Sequence, residues 1–146
     1  MSSQTTHPDN LKTIPLFNYC SRRELRSLGS KSVAVRVPPG QMLIRQGDQS
    51  SEFFVVVAGR GEITRDGVVV DTIGPGDFFG ELAILLHAPR NASVTATDSM
   101  EVLVFTKYDF ESSLFAAPLM TRKLLAAMAR RLRSLDQRNR GEAVLN

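Results

Sequence analysis

A second cysteine is missing from this chain, and so are a third histidine and any apolar run long enough to span a bilayer. The single cysteine, Cys20, cannot close an internal disulfide and has no second thiol with which to hold a metal. It is expected as a reduced, partly buried thiol without chemistry of its own. The two histidines, His7 and His87, are too few for the several-histidine site on which a metal enzyme usually draws. No Ser-His-Asp or Cys-His grouping stands out either, so no catalytic residue and no metal ligand is assigned. The opening residues, MSSQTTHPDN, lack the basic and apolar regions of a signal peptide. The expectation is a soluble protein of the cytoplasm with no membrane segment.

What is present suffices for one core. At 146 residues, 42% of them hydrophobic, the chain reads as a single domain. The formal charge of +3 is concentrated late in the sequence, where Arg122, Lys123, Arg130, Arg131, Arg133, Arg138 and Arg140 stand against one acid, Asp136. Such a run reads first as the solvated face of a helix, and second as an electrostatic footprint for nucleic acid or another acidic partner.

Along the chain the pattern is helix, many short strands, then helix. Ser21 followed by Glu24 fits a capping box, with Leu25 and Leu28 on one face of a short helix ending near Gly29. Val33, Val35 and Val37 alternate with Ala34 and Arg36 as in a half-buried strand, which Pro38, Pro39 and Gly40 stop. Turn signals recur at Gly47-Asp48, Gly59-Arg60-Gly61, Asp66-Gly67 and Gly74-Pro75-Gly76-Asp77, separating stretches such as FFVVVA and VVVDTI. That rhythm points to an antiparallel barrel or roll. The last strand signal is MEVLVFTK, Met100 to Lys107, and helical spacing takes over after Asp109. From Pro118, placed as in a first helical turn, Met120, Leu124, Met128, Leu132 and Leu135 recur every three or four positions. They form an apolar stripe on a basic helix, and most such stripes dock on their own domain.

The stretch GDFFGELAILLHAPRNASVTA, Gly76 to Ala96, sets an acid inside an apolar run and an arginine nine positions later. GELAILL has the length of one or two helical turns before His87, Ala88 and Pro89 interrupt it, and Ala92, Val94 and Ala96 resume a strand pattern. A short helix between two strands leaves its first amides unpaired. An anion would satisfy them, because free N–H groups and the helix dipole both favour negative charge. Gly80 allows close approach to the backbone, the amides of Ala83, Asn91 and Ala92 are placed to converge, and Arg90 offers a planar fork of donors matched to a phosphate. Glu81 would repel that phosphate if it faced it, but turned to a sugar hydroxyl it becomes an acceptor. The set suggests a nucleotide with one exposed phosphate charge. The plainer alternative is that Glu81 and Arg90 pair with each other in an empty loop.

On these residues the sequence resembles the cyclic-nucleotide-binding domain family. FGELAILLHAPRNASVTA, Phe79 to Ala96, is similar to the family's phosphate-binding cassette, especially in the protein kinase A regulatory subunit. IPLF at Ile14 to Phe17, VPPGQMLIRQGD at Val37 to Asp48 and FFVVVAGRGEI at Phe53 to Ile63 resemble its N-terminal helix and roll turns. MARRL, Met128 to Leu132, is similar to the hinge helix of the bacterial catabolite activator. The resemblance covers about Leu11 to Gln137. It implies an α+β, mainly β fold: an antiparallel β-roll, jelly-roll-like (a double-stranded β-helix), with a short N-terminal helix, a cassette helix and a C-terminal lid helix. The division expected is a flexible leader at 1–10, a domain at 11–140 with its lid helix at about 118–138, and a frayed tail at 141–146.

The same resemblance implies the site. Glu81 would accept from the ribose 2′-hydroxyl and Arg90 would pair with the cyclic phosphate. The amides of Gly80, Leu82, Ala83, Asn91 and Ala92 would line the pocket, with Leu132, Leu135 and Asp136 of the lid nearest the base. Two positions depart from the pattern. Asn91 stands where the kinase A pattern has alanine, many cyclic-GMP binders threonine and the catabolite activator serine. Leu135 and Asp136 stand where the catabolite activator has a threonine and a serine touching adenine. Cyclic AMP is the first reading and cyclic GMP the alternative. No other cofactor is implied. The implied function is a sensor, not an enzyme, whose lid helix moves on binding and reaches a protein partner or a second copy. The chain leaves no room for the DNA-binding helix-turn-helix that follows in the catabolite activator, so it reads as a stand-alone sensor or as part of something longer. The other readings are a degenerate, non-binding scaffold and a cupin-like metal enzyme.

Overall fold

The protein is described by a computed structural model that covers residues 3–5 and 11–145, with side chains over 11–137. Its first helix, α1 (Arg22–Lys31), begins where the capping box places it. The Ser21 hydroxyl accepts from the Glu24 amide at 3.1 Å and the Glu24 carboxylate accepts from the Ser21 amide at 2.9 Å. Gly29 lies buried within this helix rather than closing it. The helix ends at Lys31, where Ser32 turns extended and leads directly into a strand.

Among the described residues there are nine strands, β1 (Ser3–Thr5) before α1 and, after it, β2 (Ser32–Val37), β3 (Met42–Ile44), β4 (Phe53–Ala58), β5 (Gly61–Arg65), β6 (Val68–Ile73), β7 (Phe78–Phe79), β8 (Ser93–Ala96) and β9 (Met100–Phe105). They form two antiparallel sheets, ordered β1-β2-β9-β4-β7 and β3-β8-β5-β6. The sheets face each other as an open roll and do not close into a barrel. The leader expected at 1–10 lies outside the described residues except for β1, which pairs with β2.

Period-two alternation gives the first sheet two buried faces. One, with Ala34, Phe53, Val55, Leu103 and Phe105, packs under Leu25, Leu28 and the later helices. The other, with Val37, Phe54, Val56 and Val102, packs against Ile44, Val94 and Ala96 of the second sheet. Cys20 is buried in the first of these cores, and that burial, with Glu24 nearby, pushes its thiol up to about 11. It is protonated and inert at neutral pH. The valines of β6 are exposed because β6 is the outer strand of the second sheet.

Three more helices complete the domain: α2 (Glu81–Leu85), α3 (Lys107–Ala116) and α4 (Pro118–Leu145). The strand signal at Met100 stops at Phe105 because Thr106 caps α3, its hydroxyl accepting from the Asp109 amide at 3.1 Å. Met120 and Leu124 of α4 are fully buried and Met128 partly so, as a docked stripe requires. Lys123 fastens the same turn, donating to the Pro15 carbonyl at 2.6 Å and to the Asn18 side chain, with its ammonium over the Tyr19 ring. Farther along, Leu132 and Leu135 are exposed: at about 1.5 Å per residue, a 28-residue helix outruns the domain it starts on. Its backbone stays helical to Leu145, through most of the segment expected as a frayed tail.

Candidate functional site

The two-residue strand β7 holds the start of the site. Phe78 and Phe79 pair with Val55 and Phe54 of β4, and the rings of Phe54 and Phe79 stack at 4.8 Å. Gly80 then takes a left-handed conformation, φ +94°, and turns the chain into α2. A Cβ at this position would stand 2.5 Å from the Glu52 carbonyl and 3.0 Å from a guanidinium nitrogen of Arg90, so only glycine fits. As the first residues of α2, Glu81, Leu82 and Ala83 have amides without intrahelical acceptors. The helix closes after one turn, with His87 at φ +50° and the Ala88 amide donating to the Ala83 carbonyl.

Arg90 is placed by backbone and side chain together. Its amide donates to the Asp48 carbonyl and its carbonyl accepts from the Gly47 amide, which ties it to the turn after β3. The guanidinium, almost fully buried, donates to the Ser50 hydroxyl at 3.0 Å, the Gly80 carbonyl at 3.0 Å and the Glu52 carbonyl at 2.8 Å. Burial lowers its pKa from the ordinary value, and the charges of Glu52, Glu81 and Asp48 oppose that shift. An arginine this well buttressed is a fixed positive charge.

The ion pair between Glu81 and Arg90 does not form. Glu81 is 4% exposed, and its partner is Arg131 of α4, which reaches one carboxylate oxygen at 3.2 Å. Arg131 also donates to the Phe78 carbonyl at 3.0 Å and lies over the Phe78 ring. The other carboxylate oxygen, Oε2, is buried with no hydrogen-bond partner. Burial raises the Glu81 pKa, against the pull of its own amide, Arg131 and Arg90.

These groups surround a half-open cavity of about 160 Å³. Gly80, Glu81, Leu82, Ala83, Arg90, Asn91 and Ala92 all line it, so the residues expected at the start of the short helix and after the arginine are brought together. Leu132, Leu135 and Asp136 are exposed on α4, outside this lining. Leu135 lies one turn beyond Arg131 on the same helix face, and Leu132 is rotated away from it. Three further residues contribute to the site. Ser50 carried no signal, being a loop serine. Arg65 of β5 lines the cavity and donates to the Asn91 carbonyl at 3.2 Å. Arg131 belongs to the basic run expected to be solvated, although it falls seven residues, two helical turns, after the buried Leu124 and so shares its face. Of the two histidines, His87 is exposed and His7 lies outside the described residues. Among the described residues no three His, Cys, Asp or Glu side chains are grouped to hold a metal ion, and no helix is long and apolar enough to cross a membrane.

Arg90 engages Ser50, Gly80 and Glu52 through its three guanidinium nitrogens, and Oε2 of Glu81 is an acceptor without a donor. Residues 34–116 match the sequence model described as the cyclic nucleotide-binding domain. The chain is 34% identical over 106 residues to a cAMP-dependent protein kinase regulatory subunit of Yarrowia lipolytica, a match covering 71% of this chain and 28% of that one. It is 29% identical over 131 residues to the cyclic AMP receptor protein of Thermus thermophilus, covering 86% and 61%. The crystal structure of the Thermus thermophilus catabolite activator protein superposes with a TM-score of 0.74 at 30% identity, covering 84% of this chain and 60% of that one. The chain thus spans between about a quarter and three fifths of the length of these proteins.

Proposed function

Because this chain belongs to the cyclic nucleotide-binding domain family, we propose that it is a cyclic-nucleotide sensor with cyclic AMP as its preferred ligand. The observation that carries the reading is the buried, unpartnered Oε2 of Glu81 in the same cavity as the fixed charge of Arg90. A cyclic nucleotide supplies what each lacks: a ribose hydroxyl to donate to Glu81 and a phosphate to meet Arg90 and the amides of Ala83, Asn91 and Ala92. The names of the relatives support cyclic AMP as the first choice. Asn91 offers both a donor and an acceptor to a purine edge, so cyclic GMP is the competitor to be measured.

The role of α4 follows from Arg131. It holds Oε1 of Glu81 at 3.2 Å, beside the Oε2 left for a sugar hydroxyl, so a ligand that enters the cavity meets the contact that fastens α4. A ligand that displaces Arg131 changes what holds α4 to the domain, a population shift of a helix between two positions. Leu135, one turn above Arg131, is the residue that such a movement carries toward a base. The exposed Leu125, Leu132 and Leu135 are the surface offered to a protein partner or a second copy. In this reading the module regulates and does not catalyse, and its place is the cytoplasm.

Calorimetric titration with cyclic AMP and with cyclic GMP, beside a metal analysis of the purified protein, tests the proposal. Saturable binding of cyclic AMP, tighter than cyclic GMP, is expected. Heat from neither nucleotide would favour the non-binding scaffold, for which the Arg131 to Glu81 contact is a ready-made plug.

A further inference from the structure

Arg90 owes its place to the loop after β3, and that loop is pinned in turn from a neighbouring hairpin. Gln46 follows β3, and its amide donates to the Ser93 hydroxyl at 2.8 Å. The next amide, that of Gly47, donates to the Arg90 carbonyl at 2.8 Å, and the Arg90 amide donates to the Asp48 carbonyl at 2.9 Å. The Gln46 side chain reaches the turn between β5 and β6. Its Oε1 accepts from the Asp66 amide and its Nε2 donates to the Asp66 carboxylate, both at 2.9 Å.

That turn is a stiff anchor. Arg65 and Val68 pair across it, with Asp66 at φ +54° and Gly67 at φ +79°, both left-handed as a two-residue hairpin of type I′ requires. From the residue before the turn, Arg65 donates to the Asn91 carbonyl at 3.2 Å. One hairpin therefore holds the residue before Gly47 and the residue after Arg90. Neither Gln46 nor Asp66 lines the Glu81 cavity, so both act on the site only through others.

We propose that Gln46 and Asp66 are positioning residues for the anion site: their reciprocal hydrogen bonds fix the loop after β3, and that loop fixes the backbone from which the Arg90 guanidinium reaches the cavity. The inference rests on the sensor reading for its ligand, cyclic AMP. The chemistry of the pair is specific. The Asp66 amide takes an acceptor and the Asp66 carboxylate a donor, and a glutamine side chain offers one of each, whereas a glutamate offers acceptors alone.

Gln46→Glu keeps the length and the acceptor but sets a second carboxylate against Asp66. In calorimetric titration of the full chain its affinity for cyclic AMP is expected to fall about tenfold, the worth of one or two exposed hydrogen bonds. In the ligand-free protein the Gly47 and Arg90 amides are expected to exchange hydrogen faster, while the amide of Leu103, which pairs with Ala34 on one side and Val55 on the other, keeps its rate. Adding Asp66→Asn to Gln46→Glu returns a donor opposite the acceptor, in a residue type that tolerates the left-handed conformation, and is expected to restore both readings. Affinity and exchange unchanged by Gln46→Glu overturn the proposal. So does a loss that the double variant fails to restore, or exchange that rises equally at Leu103. A full chain that binds no cyclic AMP removes the sensor reading, and the exchange rates then decide the positioning role by themselves.

Discussion

Arg131 and Glu81, separated by 50 positions in sequence, meet at 3.2 Å across the mouth of a cavity in which the carboxylate is otherwise sealed from water. The arginine comes from a helix that outruns the domain and the acid from a one-turn helix inside the roll. Their contact ties the mobile candidate to the binding candidate.

Removing the cation should be felt in the free protein. Arg131→Ala leaves Glu81 buried without its ion pair, but the arginine side chain is 46% exposed, so the pair is partly screened. A loss of about 1 kcal/mol is expected in urea denaturation at neutral pH. No loss at all would mean that the pair holds nothing.

The protonation of Glu81 sets a pH dependence with a definite sign. Burial raises its pKa above the ordinary 4.5, so the folded protein holds this proton more tightly than the unfolded chain. The stability it contributes is complete below 4.5 and is lost as pH rises through the folded-state value. Glu81→Gln cannot titrate, and its stability relative to the parent should improve as pH rises from 4.5 toward neutrality. Parallel stability curves for the two proteins would contradict the assignment.

Arg90→Ala should abolish the anion site and also weaken the fold around it, since Ser50, Gly80 and Glu52 lose their shared donor. Breaking a desolvated charge contact costs about 2 to 5 kcal/mol, which corresponds to an affinity for cyclic AMP lower by roughly 30-fold or more. Unchanged binding in a titration would sink the phosphate role.

Gly80→Ala tests the cradle without touching a charge. The added Cβ meets the Glu52 carbonyl at 2.5 Å, in a left-handed conformation that alanine tolerates poorly. A stability loss of about 1 to 3 kcal/mol and weaker nucleotide binding are expected together. A variant as stable as its parent in thermal melts would show that the turn relaxes freely.

The lid role calls for a cut that spares the core. Met120 and Leu124 are fully buried, and together they contribute about 3 to 6 kcal/mol. A truncation after Ala117 would therefore unfold more than it tests. Ending the chain after Ala129 keeps both anchors and Lys123 but removes Arg131 and Leu135. This shorter protein should melt cooperatively and bind cyclic AMP differently from the full chain; equal affinity would leave no lid function to α4.

How much was legible in advance varied with the range of the interaction. The capping box at Ser21, the turn glycines, the strand signal of β9 and the one-turn helix after Gly80 are local, and each showed in the spacing of residues. Gly80, Glu81, Arg90, Asn91 and Ala92 were legible for the same reason, because one loop of the chain carries them all. The partner of Glu81 was not: nothing near residue 81 announces Arg131, and a basic run gives no hint of which member turns inward. Leu132 and Leu135 matched the helical period, but period alone does not say where a long helix leaves the domain.

The sequence by itself determined the elements, the roll and the chemistry gathered in Gly76 to Ala96, since backbone preference and hydrophobic period act over a few residues. Tertiary structure alone decided that Arg90 is buttressed by Ser50 and Glu52 and that Glu81 is held by Arg131. Those outcomes depend on which distant segments the packed core brings together, which is a property of the whole fold and not of any segment in it.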